Sequence, residues 1–134
     1  VSKCIDLNPG VREVLEVLQA SGDYKMGIVT ACSKPAFDLI HSKTGVEQYM
    51  DFMITREDVE RSKPFPECYL KAVETVGFTP ESCVAIEDSE RGILAAKAAG
   101  IHCWGVRSDF VEGMSLDQAD RVLENLTEAL DILK

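Results

Sequence analysis

Apolar residues Val11, Val14, Leu15 and Leu18 recur at three- and four-residue spacing behind Asn8 and Pro9, and Gly22 follows them. That is the pattern of a helix with its cap, its first helical residue and its stop. The next stretch, "YKMGIVT" at 24–30, is short and mainly apolar and predicts a buried strand. Helical spacing returns in "SKPAFDLIHSKTG" at 33–45, with Ser33 as cap and Gly45 as stop, and "YMDFMIT" at 49–55 predicts a second strand. The series goes on through a helix in "PFPECYLKAVETVG" (64–77), a strand in "CVAIED" (83–88), a helix in "SERGILAAKAAG" (89–100) and a strand in "IHCWGVR" (101–107). A short "RVL" strand at 121–123 and a terminal helix with Leu126, Ala129, Leu130 and Leu133 complete it.

Strands that alternate with helices of this length imply right-handed βαβ units and a mainly parallel sheet covered on both faces. The expected fold is α/β, doubly wound, a single domain over residues 1–134. Internal repeats, low-complexity tracts and linkers are not visible. In such sheets ligands bind beyond the carboxyl ends of the strands, so the residues just after each strand carry the chemistry.

Composition narrows the partners. The 134 residues are 46% hydrophobic and 28% charged, an ordinary globular balance with enough length for a core without disulfides. A formal charge of −9 argues against nucleic acid or an anionic membrane as partner, so an anionic substrate needs a local cation. No apolar run reaches the roughly 18 residues of a membrane span, and no basic-then-apolar leader is visible. Cysteines 4, 32, 68, 83 and 103 show no CxxC spacing and sit mostly in apolar runs, as small core residues of a reducing compartment do. The expected location is cytoplasmic. The chain begins with Val1, for which a missing upstream segment and processing are the two expectations.

Three groups gather at the expected strand ends. Thr30 closes "MGIVT", Glu87 and Asp88 close "CVAIED", and Lys63 lies in "RSKPFPE" before a helix whose entry is set by Pro64 and Pro66. A hydroxyl, an ammonium and two carboxylates on one rim suit a phosphoryl group: carboxylates hold Mg²⁺ through hard oxygens, while the lysine offsets charge on the phosphoryl oxygens. Each also has a plainer meaning. Thr30 is a β-branched strand residue, Lys63 a solvated loop charge, and Asp88 or Ser89 a helix cap. Gly92, Ala95, Ala96, Ala98 and Ala99 are small enough for close helix–sheet packing. His41 and His102 have no partners at ligand spacing, and Trp104 and the last helix read as core.

Order and context join the groups. "GIVTACS", "SKPFPECYLKA" and "VAIEDSERGILAAKAAGI" resemble the second, third and fourth motifs of the haloacid dehalogenase superfamily, in particular its β-phosphoglucomutase-like phosphatases, and the likeness spans nearly the whole chain. "PGVREVLEVLQASG" is similar to the helix before the second motif. The resemblance implies a Mg²⁺-dependent phosphatase or phosphomutase core for small phosphorylated metabolites. By it, Thr30 and the Ala31 backbone bind phosphoryl oxygens, Lys63 stabilises them and the metal-site carboxylates, and Glu87 with Asp88 holds Mg²⁺.

The family's first motif, an Asp-x-Asp run that supplies nucleophile and general acid, is not recognisable, and neither is a cap domain. Without a nucleophile, covalent phosphoryl transfer has no first step. In related folds that strand lies between those ending here at Thr30 and Asp88, so its loss leaves the neighbours roughly 9 to 10 Å apart with unpaired backbone groups. The core is thus expected to be incomplete at its first strand. The slot is filled by an upstream segment of a longer parent, by a second chain in a homodimer, by direct pairing of the neighbours, or by "VSKCID" itself. In the last case Asp6 reaches the rim as a surrogate nucleophile, with Asn8 where an acid is needed. Against the enzyme stands a non-catalytic phosphate- or metal-binding module; a phosphorylation-receiver domain has the wrong order of acids, threonine and lysine.

Overall fold

The computed structural model describes residues 11–42, 44–107 and 116–133. The first helix, α1 (Val11–Ser21), turns Val14 inward at 2% exposure. Strand β1 (Gly27–Val29) leads to α2 (Lys34–His41), where the Ser33 hydroxyl accepts from the Ala36 N–H at 3.3 Å as the sequence predicted. Then come β2 (Phe52–Ile54), α3 (Glu67–Val76) and β3 (Val84–Glu87). Helix α4 (Glu90–Ala98) starts at Ser89, whose hydroxyl accepts from the Gly92 N–H at 3.1 Å. Strands β4 (His102–Val106) and β5 (Arg121–Leu123) and helix α5 (Glu128–Leu133) follow.

All strand pairs are parallel, as the alternation required. The strands form two groups, β2–β1 and β3–β4–β5, in which Gly27 pairs with Phe52, Ile86 with Trp104 and Trp104 with Arg121. Helices α3 and α4 underlie both groups. Their Tyr69, Ala72, Ile93, Ala95 and Ala96 share one core with Ile54, Ala85 and Cys103. On the other face α5, through Ala129 and Ile132, and the preceding Leu126 cover Trp104 and Leu123. The doubly wound α/β fold is therefore present, with helices on both faces of a sheet in two parts.

Among the described residues, β1 and β3 pair only on their outer edges. The option of direct pairing between them is not taken. Thr30 N–H donates to Ile54 O at 3.0 Å and Asp51 N–H to Met26 O at 2.7 Å. In a strand the next residue points the other way, so the amide groups of Gly27 and Val29 face away from β2. Val84 and Ile86 of β3 stand 42% and 39% exposed, large for apolar side chains in a sheet. "VSKCID", with Asp6, and the capping residues Asn8 and Pro9 lie outside the described residues.

Element ends depart from the pattern for local reasons. The strand expected from Tyr24 starts at Gly27, because the Asp51 carboxylate takes the Met26 N–H at 2.8 Å and closes the ladder there. Tyr49 belongs to a 3₁₀ turn (Val46–Tyr49) instead of a strand, and its hydroxyl donates to Glu16 at 3.2 Å. The third helix starts three residues later than expected, at Glu67, and ends at Gly77 with φ 80°. Cys68 and Cys103 are buried, as core thiols should be, whereas Cys32 and Cys83 are half-buried; all four are free.

Candidate active site between the two parts of the sheet

Thr30 follows β1 directly and is 4% exposed. Its hydroxyl oxygen accepts from the Cys32 N–H at 3.1 Å, which bends the chain off the strand and leaves Ala31 exposed at the turn. Cys32 O in turn accepts from the Arg56 N–H at 3.0 Å, tying this turn to the end of β2. The hydroxyl proton of Thr30 stays available for an acceptor placed above the strand end.

Lys63 reaches the same place from the loop before α3. Glu67, in the first turn of that helix, draws the loop back by accepting the N–H groups of Glu60 and Arg61 at 2.9 and 3.0 Å. Those two bonds hold the Glu67 carboxyl below the usual range. The Arg91 guanidinium donates to Lys63 O from α4. With its backbone held on both sides, Lys63 sends Nζ to Val29 O at 3.0 Å and to Glu87 Oε2 at 2.6 Å. Its ammonium thus spans the two parts of the sheet at their carboxyl ends. An ammonium has three protons, and two are committed here.

Glu87 ends β3 with its side chain inward, the residue being 8% exposed. Besides Lys63, the buried Tyr69 hydroxyl donates to the same Oε2. Burial foremost, and the Glu87 charge after it, push the Tyr69 phenol well above its usual range, so it stays a donor. Gly92 backs the carboxylate: a Cβ there would lie 2.0 Å from Oε1. Asp88, the next residue, is half-buried and has no hydrogen bond or ion pair among the described residues. The sequence-predicted Thr30, Lys63, Glu87 and Asp88 therefore come to one rim, Lys63 touching Glu87 and the strand that ends at Thr30.

The two buried cysteines are core thiols. Burial pushes the Cys103 thiol up to about 12, with the Glu87 charge adding to the effect, and burial also raises Cys68. On β4, His102 stands 3.6 Å from the carboxylate of Asp120, the residue before β5, and His41 contacts Thr44 at 3.2 Å at the end of α2. Neither histidine belongs to the group. Among the described residues no cluster of three or more His, Cys, Asp or Glu side chains could enclose a metal ion, and no helix is long and apolar enough to cross a membrane.

The profile of the haloacid dehalogenase-like hydrolases matches residues 2–106. The chain belongs to that family. The phosphorylated carbohydrates phosphatase of Thermotoga maritima is 35% identical over 137 residues, 99% of this chain and 62% of the relative. The crystal structure of a HAD phosphatase from Thermococcus onnurineus superposes with a TM-score of 0.84 at 32% identity, over 95% of this chain and 58% of the other. CbbY from Rhodobacter sphaeroides, solved with phosphate, gives 0.79 at 27% identity, over 90% and 54%. Within the family the likeness runs to the β-phosphoglucomutase and CbbY-like phosphatases. The chain spans somewhat over half the length of these relatives.

Sequence reasoning missed Tyr69, Gly92, Arg91 and the carbonyl of Val29. Tyr69 drew no reading of its own inside "PFPECYLKAVETVG", and Gly92 read as one of several small packing residues. The one signal for Gly92 was a glycine in the first turn of a helix otherwise rich in alanine.

Proposed function

We propose that this chain is the phosphate-handling core of a Mg²⁺-dependent phosphatase or phosphomutase acting on small phosphorylated metabolites. The observation that carries the reading is the Lys63 ammonium. It is held by Val29 O and Glu87 between the two parts of the sheet, and Asp88, the residue after Glu87, has no partner among the described residues. A cation with one free proton on the same rim as an uncommitted carboxylate suits an anion and a divalent ion bound side by side.

The donor set fits Mg²⁺, which takes hard oxygens and is held by one or two carboxylates with phosphate oxygens and water completing its shell. Asp88 is the proposed direct ligand, with Glu87 behind it. When bound, the ion neutralises charge on the phosphoryl oxygens. Lys63 binds and orients the phosphoryl group with its third proton, and the Thr30 hydroxyl and the Ala31 backbone hold the other oxygens. The nucleophile and general acid that the family resemblance assigns to an Asp-x-Asp run are proposed to enter on a strand between β1 and β3. A second copy pairing on these inner edges is the other way to satisfy them, and sedimentation velocity showing only monomer excludes it.

Calorimetric titration tests the core by itself. The wild-type chain binds Mg²⁺, and Asp88→Asn weakens that binding by about tenfold or more, the loss of a carboxylate from a site with few protein ligands. Equal affinity in the two proteins refutes the metal assignment. A non-catalytic binding module is the second reading, favoured by the lack of a third acid at the rim among the described residues. It predicts the same binding but no Mg²⁺-dependent phosphate release when the strand between β1 and β3 is supplied.

A further inference from the structure

The two acids of the Glu87–Asp88 pair have different surroundings, and the difference comes from α3. Tyr69 is the third residue of that helix and reaches Glu87, 18 positions ahead, with its hydroxyl. Its ring also lies beneath Lys63, with Nζ 5.4 Å from the centroid, a distance at which the ring face attracts a cation. One side chain thus touches both partners of the 2.6 Å ion pair, whose side chains are only 13% and 9% exposed. Oε2 of Glu87 already accepts from Lys63 and Tyr69, and Oε1 lies over Gly92 where even a methyl group has no room. Both oxygens of Glu87 thus meet protein groups. Asp88 has the opposite situation, half-buried and uncommitted among the described residues.

We propose that Tyr69 is a positioning residue of this site: it holds the Glu87 carboxylate against Lys63, so that Glu87 serves the ammonium and Asp88 alone meets the cation. The inference rests on the phosphate-handling reading above and sharpens it by dividing the work of the two acids. Tyr69 acts through Lys63. Without its hydroxyl the Glu87 carboxylate has one anchor fewer, and without its ring Lys63 loses the surface beneath it.

The test compares the wild-type chain with Tyr69→Phe, which keeps the ring, and Tyr69→Leu, which removes ring and hydroxyl. Two properties are measured: the ¹H–¹⁵N signal of the Lys63 ammonium, visible only while its protons are held, and the affinities for inorganic phosphate and for Mg²⁺ alone. The wild type shows the ammonium signal; it shifts in Tyr69→Phe and vanishes in Tyr69→Leu. Phosphate affinity falls about tenfold in Tyr69→Phe, as for loss of one hydrogen bond to a charged group, and further in Tyr69→Leu. Mg²⁺ affinity stays within about twofold, which a general loosening of the fold would not allow. The proposal is overturned by an absent wild-type ammonium signal, by unchanged signal and phosphate affinity in both folded variants, or by Mg²⁺ affinity falling in step with phosphate. If the tyrosine variants do not fold, Glu87→Gln decides: phosphate affinity falls with Mg²⁺ retained, and a matching loss of Mg²⁺ overturns the assignment. A wild type that binds no phosphate yet shows a Tyr69-dependent ammonium signal sinks the proposed function and leaves the positioning role standing.

Discussion

Gly92→Ala sets two effects of opposite sign against each other. Within a helix alanine is favoured over glycine by at most about 1 kcal/mol, so propensity alone makes this substitution stabilising. The structure reverses the sign. The new Cβ would stand 2.0 Å from Glu87 Oε1, 2.3 Å from its Cδ and 2.8 Å from Oε2, so the whole carboxylate must withdraw. A glutamate end moves readily in an exposed position, but here withdrawal breaks the bonds to Lys63 and Tyr69 and leaves charges unpaired in a site with little water. Breaking a buried pair by displacing one partner costs about 3 to 5 kcal/mol. Set against the propensity gain, the net expectation is a loss of about 2 to 4 kcal/mol. Urea denaturation followed by circular dichroism measures it, with a lower midpoint and an unchanged slope expected for both states of the same compactness. Ala98→Gly on the exposed side of the same helix calibrates the propensity contribution. A Gly92→Ala protein as stable as the wild type, or more stable, refutes the packing of Glu87 over Gly92.

Gly27→Ala should destabilise by about 1 to 3 kcal/mol, an overpacking cost, because its Cβ would meet the Phe52 ring at 2.1 Å on the adjacent strand; a thermal midpoint equal to wild type contradicts the pairing of Gly27 with Phe52. Asp120 accepts the Cys103 N–H at 2.8 Å and Lys97 Nζ at 2.7 Å, and these bonds, the backbone one foremost, hold its carboxyl below the ordinary 3.8. A folded-state value below the unfolded one contributes stability above pH 3.8 that is lost as pH falls through the folded value. Asp120→Asn is therefore expected to lower the urea midpoint at neutral pH, with the gap to wild type closing below pH 3.8; a gap independent of pH refutes it.

Local periodicity carried the helices and strands because burial of one face is a local property: spacing of three to four for α1, α2 and α3, and short apolar runs for the strands. The cap at Ser33 was legible for the same reason, since a cap bonds within three residues, and the structure chose Ser89 over Asp88 for the fourth helix. Even the rim was legible, because topology sends every parallel strand's carboxyl end to one side, and Thr30, Asp88 and Lys63 are placed by their order in the chain. Ends of elements were not, as at Asp51, whose carboxylate stops the β1–β2 ladder from 25 residues away.

By itself, then, the amino-acid order determined a parallel α/β architecture and the residue types at its working edge. Only the tertiary structure decided that Tyr69 and Gly92 hold Glu87 inward while Asp88 has no partner among the described residues, and that Lys63 bridges a sheet in two parts through a backbone carbonyl. The reason is physical: a helix's own period says which face is buried, but the atom that face meets depends on where another helix or strand crosses it.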